Sequence, residues 1–178
     1  MLIEDWFQKY EQDITSFLIY YTGSMDVEDL VQDTFLIALK KISRFKGDSH
    51  PKTWLISIAR NHVIDMYRRK RVWENIKQFL LPEQTSFNEI EDHLIKKSEN
   101  SRLYKAIHQL SPQYKEVVIL RGILELSSKE TSDILKCNQN KVNVTYHRSL
   151  KKLREILEKE GFCLEGFQTN SGTSKEPS

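Results

Sequence analysis

The stretch LSSKETSDILKCNQNKVNVTYHRSLKKLREIL, Leu126 to Leu157, decides the fold of this chain. Ser127 followed by Glu130 has the spacing of a capping box, and Thr131, Ile134 and Leu135 give the short helix it opens one apolar side. Lys136 and Cys137 make a turn, and Asn138 is a good N-cap for a second helix. Val142, Tyr146, Leu150, Leu153 and Leu157 recur at three- and four-residue steps, a stripe expected to face the core. The other side of that helix carries Asn140, Asn143, Val144, His147, Arg148 and Lys151. Residues 136 to 154 hold six Lys or Arg and no Asp or Glu, the bias that attraction to phosphate needs. A basic amphipathic helix taken alone is more often a solvated face. A short helix, a tight turn and a longer cationic helix in that order form a helix-turn-helix, which lays its second helix in the major groove of DNA.

Working outward, 178 residues allow one ordinary domain or two small ones, and 29% charged residues with a mean hydropathy of -0.55 describe a soluble chain. The longest apolar runs, near Phe17 to Tyr21, are about five residues, whereas a bilayer span takes roughly 20. The start, MLIEDWFQKY, is acidic and has no basic segment ahead of an apolar one, so it does not read as a signal peptide. Cys137 and Cys163 lack paired-ligand spacing and read as structural thiols. No metal site, cofactor loop or catalytic constellation is expected. Asp48, Ser49 and His50 are consecutive and cannot take the relative positions of a hydrolase triad.

The net charge is only +2, but it is unevenly placed. Residues 1 to 33 hold eight Asp or Glu against the single Lys9, while Arg60 to Arg71 hold five Lys or Arg against Asp65 alone. Such asymmetry points to nucleic acid at the basic segments and a basic protein surface at the acidic one.

Helical periodicity runs through most of the chain. Ile3, Trp6, Tyr10, Ile14, Phe17, Leu18 and Tyr21 form a first stripe, closed by Gly23 and Ser24. Val27, Leu30, Val31, Thr34, Phe35, Ala38, Leu39 and Ile42 form a second, leaving Asp29, Gln32, Asp33 and Leu36 on its far side as a docking face. The segment FKGDSHPKTW, Phe45 to Trp54, is a polar connector before a helix expected from Thr53 to about Val72. From 74 to 98 the periodicity weakens, Pro82 interrupts, and Glu83, Glu89, Glu91 and Asp92 accumulate. A second helical module follows, with Ser111 and Pro112 opening its central helix. The expected fold is all-α: two small helical domains, 1–73 and 99–160, joined by a flexible acidic linker at 74–98. The C-terminal domain is the helix-turn-helix, and the tail 161–178 is expected to be disordered.

The strings DLVQDTFLIALKKISRFKGDS, Asp29 to Ser49, and KTWLISIARNHVIDMYRRKR, Lys52 to Arg71, together with the C-terminal helix-turn-helix, resemble the sigma-70 family of bacterial RNA polymerase sigma factors. The two-domain build is similar to the extracytoplasmic-function group, with 1–73 as region 2 and 99–160 as region 4. The resemblance implies a cytoplasmic, non-enzymatic promoter-specificity subunit of a stress or envelope response. Its implied partners are core RNA polymerase, through the largest-subunit coiled coil and the flap, promoter DNA, and a membrane-linked anti-sigma factor.

Residue by residue, the resemblance assigns Asp29, Gln32, Asp33 and Leu36 to polymerase contact, carboxylates for a basic partner with one apolar anchor. It assigns Phe45, Lys46, Gly47, Ser49, Asn61, Arg68, Arg69 and Arg71 to recognition and opening of the minus ten element. There aromatic rings stack on bases, Asn61 reads a base edge, and the basic residues, Arg60 and Lys70 included, hold phosphates. Trp54 reads equally well as core or as a stacking surface. Lys141, Asn143, Val144, His147, Arg148 and Lys151 fall at positions that read the minus thirty-five element. Asn has the groups to bind adenine, Arg to bind guanine and Val to meet a thymine methyl, while Lys141, Lys151 and Lys152 suit phosphate. The chain departs from the family pattern at Asn143, where a basic residue is usual, and at Lys136, where the turn usually has Gly.

Two magnitudes limit what the chain does alone. Opening about ten stacked steps costs on the order of 14 kcal/mol, and trapped bases return about 1 to 3 kcal/mol each. A linker of about 25 residues spans roughly 80 Å stretched but averages about 28 Å as a coil, against about 35 to 70 Å between groove sites one or two turns apart. A partner is therefore expected to hold the two modules apart. An autonomous operator-binding regulator is the first alternative, and an adaptor that docks on polymerase without opening DNA is the second.

Overall fold

The computed structural model describes residues 2–80 and 99–159, and every described element is helical. Helix α1 (Leu2–Thr22) ends at Gly23, whose φ of +86° is a left-handed conformation that an L side chain rarely adopts. Helix α2 (Glu28–Lys41) has Glu28 and Asp29 in its first turn and Lys40 and Lys41 in its last, each charge matched to the helix dipole. A short 3₁₀ turn, Ile42–Arg44, leads to the loop and then to α3 (Pro51–Leu80). The C-terminal half contains α4 (Glu99–His108), α5 (Pro112–Val118), a π turn over Ile119–Ile123, α6 (Ser128–Leu135) and α7 (Gln139–Lys159).

The first domain packs α1, α2 and α3 on one another. Ile14, Phe17 and Leu18 of α1, Val31, Phe35 and Ala38 of α2, and Leu55, Ile56, Ala59 and Val63 of α3 are buried together. Each large side chain so buried contributes about 1.5 to 3 kcal/mol. Thr34 lies in this core without an orphaned hydroxyl, because it donates to the Leu30 carbonyl at 2.7 Å. In the second domain, α5 and α7 form the largest contact, with α4 and α6 closing the sides over Ile107, Val118, Leu120, Leu126 and Leu153.

Helix α3 is longer than its periodicity predicts. It opens at Pro51, a residue suited to the first helical turn. It then continues past Val72 to Leu80, through the first residues assigned to the linker, because no breaker precedes Pro82. The ion pairs Arg68–Asp65 (3.3 Å) and Lys70–Glu74 (4.0 Å) lie along its exposed part. The acidic residues Glu83, Glu89, Glu91 and Asp92 and the tail fall outside the described residues.

Helix α7 buries a different stripe from the expected one. Val142, Leu153 and Leu157 are inside, but Thr145, Ser149 and Ile156 complete the face, Leu150 is 39% exposed and Tyr146 is only half-buried. Small hydroxyl residues let α7 approach its neighbours closely, and Ser149 satisfies its own hydroxyl by donating to the Tyr146 carbonyl at 2.7 Å. Tyr146 lies instead under the Arg121 guanidinium, 5.2 Å from the ring centre.

The two domains also pack against each other, and their cores join in one buried cluster. The surface between them is made by α1 and α3 on one side and by α4, α5, the π turn and α6 on the other.

Candidate nucleic-acid interface and docking face

The helix-turn-helix is built by local chemistry. The Ser127 hydroxyl accepts from the Glu130 backbone N–H, and the Glu130 carboxylate accepts from the Ser127 N–H at 2.8 Å, completing the capping box. Burial alone would raise the Glu130 carboxyl, but hydrogen bonds from the Ser127 hydroxyl, its N–H and Thr53 outweigh it and hold the carboxyl low. Lys136 closes α6 in the left-handed region, at φ 51° and ψ 47°. Asn138 opens α7, its Oδ1 accepting from the Lys141 N–H at 2.7 Å.

On α7 the residues Lys141, Asn143, Val144, His147, Arg148 and Lys151 are all exposed and share one side. Val144 is 49% exposed, an apolar side chain that no part of the core uses. Asn143 Oδ1 accepts a hydrogen bond from the Ser128 hydroxyl at the start of α6, so the amide is tethered across the turn. Among the described residues Arg148 and Lys151 have no hydrogen-bonding or ion-pair partner, whereas Lys152 pairs with Glu155 at 3.1 Å.

The loop after α2 brings together fewer of its expected residues. Phe45 is half-buried, with its ring 5.0 Å from Trp6 of α1 and 5.1 Å from Trp54, and Trp54 is in turn 6.0 Å from Trp6. The three rings form one cluster at the root of the loop, so Trp54 sits in packing against α1. Lys46 and Gly47 are exposed, Ser49 is half-buried, and Gly47 has a φ of +79° with open space around its Cα.

Asn61 and Arg69 line a groove of about 590 Å³ between α2 and α3. Asp29, Asp33 and Asp65 give it carboxylates, Lys40 and Lys41 give it ammonium groups, and Leu30, Ile37, Ile58 and Met66 give it apolar walls. Arg68 and Arg71 are exposed farther along α3. Of the docking face, Asp29, Gln32, Asp33 and Leu36 are all exposed, Leu36 by 52%. Asp33 is drawn back toward α3, where its Oδ2 lies 3.2 Å from His62 Nε2.

Sequence reasoning missed the partner of Arg60. It points away from the groove and pairs with Glu116 of α5, Nη2 to Oε1 at 2.9 Å, Nε to Oε1 at 3.0 Å and Nη2 to Oε2 at 3.2 Å. No signal in a single sequence links positions so far apart. Among the described residues no group of His, Cys, Asp or Glu could hold a metal ion, and no helix is long and apolar enough to cross a membrane.

Comparison with known proteins adds an independent line. Residues 6–73 match the family described as Sigma-70 region 2, and residues 100–153 match Sigma-70, region 4. The chain is 34% identical to the RNA polymerase sigma factor YlaC of Bacillus subtilis over 160 residues, 88% of this chain and 92% of that one. It is also 34% identical to the extracytoplasmic-function sigma factor SigX of the same organism, over 85% of this chain and 81% of that one. Among solved structures it is similar in fold to the sigma factor RpoE of Bartonella quintana, solved in complex with the anti-sigma factor NepR. That similarity has a TM-score of 0.71 at 24% identity, over 87% of this chain and 96% of the other.

Proposed function

Since this chain belongs to the sigma-70 family of RNA polymerase sigma factors, in its extracytoplasmic-function group, we propose how its two domains share the work of promoter selection. The chain binds core RNA polymerase, directs it to promoters and assists strand opening, and performs no catalysis of its own. The observation that carries this reading is the pairing of a region 2 match and a region 4 match in one short chain, each folded as a helical domain. Its place of work is the cytoplasm, where polymerase and promoters are, and an anti-sigma protein is its expected negative regulator.

We assign polymerase docking to the exposed side of α2, where Gln32 and Leu36 stand in solvent and Asp29 stands at the edge shared with the groove. Asp33 contributes from the rim, through a carboxylate that His62 already engages. The groove holding Asn61 and Arg69, with Arg68 and Arg71 beyond it, takes the minus ten element together with the loop of Lys46, Gly47 and Ser49. Phe45 serves this site by fixing the root of that loop. The exposed side of α7 reads the minus thirty-five element, with Arg148 and Asn143 at base edges and Lys141 and Lys151 at phosphates.

The test is transcription from a bacterial promoter library by core RNA polymerase, with and without this protein. Start sites that require both components are the expected result. DNA binding without transcription would replace this reading by an autonomous regulator, and polymerase binding without start sites by an adaptor. Asp29→Arg is the cleaner probe of docking than Asp33→Arg, because Asp33 also bridges to α3. Unchanged polymerase binding by Asp29→Arg would remove α2 from the interface.

A further inference from the structure

Two of the side chains that cross the domain interface meet on one carboxylate. Glu116, on α5, accepts from the Arg60 guanidinium of α3 through Nε and Nη2 and from the Tyr21 hydroxyl at the end of α1 at 2.7 Å. Arg60 and Glu116 are 20% and 17% exposed, so the pair is largely shielded from water and salt. Beside it, the Lys115 ammonium donates to the Tyr21 carbonyl at 3.2 Å. Burial first, and then the Glu116 charge, push the Tyr21 phenol far above its ordinary range, so the hydroxyl stays a donor at any physiological pH. A second polar anchor lies on α6, where Thr53 donates to Glu130 Oε1 at 3.1 Å. Glu130 thus ties the start of the helix-turn-helix to α3 with one oxygen and caps α6 with the other.

This arrangement conflicts with the task of reading two promoter elements. With α6 seated on α3, the groove of Asn61 and the reading side of α7 belong to one compact body. The two elements are separated by helical turns of DNA, each about 34 to 36 Å. Both sites cannot be filled until the interface opens.

We propose that Glu116 is an intramolecular latch: by filling the seat made by Arg60 and Tyr21 it holds the free chain closed, and polymerase binds the open form at the expense of this contact. The closed form needs no partner, since every group in the clasp belongs to this chain. Glu116 is the carboxylate that both Arg60 and Lys115 face. Its neutralisation leaves two cations at a half-buried interface with their counter-charge gone, and an uncompensated charge there is strongly unfavourable. Arg60, released on opening, becomes free to meet a phosphate. The proposal rests on the polymerase-binding role assigned above, but its first readout does not depend on it.

That readout is energy transfer in the full-length chain, between dyes on cysteines placed at the exposed positions Glu11 and Glu158, with Cys137 and Cys163 changed to serine. The parent should show one high-transfer population. Glu116→Gln and Arg60→Ala should each shift the chain to low transfer with helicity unchanged, and the double variant should shift it no further than either alone, as for two halves of one contact. The second readout is affinity for core polymerase, which Glu116→Gln should raise on the order of tenfold if the open form is the minor one. Equal transfer in parent and Glu116→Gln overturns the latch. So does a shifted transfer with unchanged polymerase affinity, which would make closure irrelevant to assembly. Absence of polymerase binding in both proteins would instead defeat the proposed function while leaving the latch decided by the dyes.

Discussion

Replacing Lys136 by glycine should stabilise the protein, and the magnitude follows from one backbone angle. Lys136 ends α6 at φ 51°, where its Cβ crowds the following carbonyl. An L residue held there costs about 1 to 2 kcal/mol. Glycine removes that cost but brings an unfolded chain with more freedom, worth about 0.4 to 1 kcal/mol in the other direction. The net gain is about 0.5 to 1 kcal/mol. The backbone hydrogen bonds of the turn, from the Lys136 and Cys137 N–H groups to the Ser132 carbonyl, need no side chain and are kept. For a chain of this size that gain corresponds to about 1 to 4 °C in the thermal midpoint. Lys136→Ala is the control, because it removes the exposed ammonium and retains the Cβ, and it should leave the midpoint nearly unchanged. Thermal unfolding followed by circular dichroism compares the three proteins. A glycine variant no more stable than the alanine variant would refute the reasoning, since the Cβ would then carry no strain.

Acidification should loosen the domain interface through His108, whose Nε2 is buried without a partner. Burial first, and then the charge of Lys115, hold its imidazole below the ordinary range, against a hydrogen bond to the Tyr20 backbone. Tyr104, its ring tilted against the imidazole at 4.6 Å, and Gly23, where an added Cβ would lie 3.1 Å from the ring, enclose it from α4 and the end of α1. Because the unfolded imidazole titrates higher, near about 6.5, the unfolded chain binds more protons between the two values. Stability is therefore complete above that pH and falls as the pH drops through the window. Urea midpoints at pH 7.5 and 5.5 should differ less in His108→Gln than in the parent, and equal differences would acquit His108. On α7, Arg148→Ala should relax preference at one base pair by about 1 to 3 kcal/mol. Lys151→Ala should weaken all sequences alike and lower the salt slope by about 1. Binding titrations on point-substituted promoters at several salt concentrations separate the two, and uniform losses in both variants would erase the distinction.

Features that depend on neighbours in sequence were legible in the chain. The capping box at Ser127 and Glu130, the cap at Asn138 and the α2 stripe all rest on spacings of three or four residues, and the structure reproduces them except at Leu39, which ends the stripe 43% exposed. What escaped was set by contacts between distant positions. Arg60 looked like one more cation in a basic run, yet its partner lies 56 positions away, and Tyr21 reaches the same carboxylate across 95. Phe45 looked free for stacking, and Trp54 stayed open between core and stacking, because Trp6, which packs against both, belongs to another helix. The buried stripe of α7 differs for another reason: Thr145 and Ser149 are polar residue types, but their small size allows tight helix approach, and Ser149 satisfies its hydroxyl on its own helix.

Helix α3 carries the proposed base-edge residue Asn61 and the cation Arg71 on one continuous rod from Pro51 to Leu80. Ten residues of α-helix advance about 15 Å, close to the length of four nucleotides of a strand at about 3.4 Å each. The rod therefore works as a ruler. A strand engaged at Asn61 meets the distal cations at a fixed nucleotide count, and one inserted or deleted residue between them would rotate Arg71 by about 100° around the helix. Evolution of a new promoter preference on this scaffold is thus confined to exchanging side chains in place, while the interval between them stays set by the pitch of the backbone.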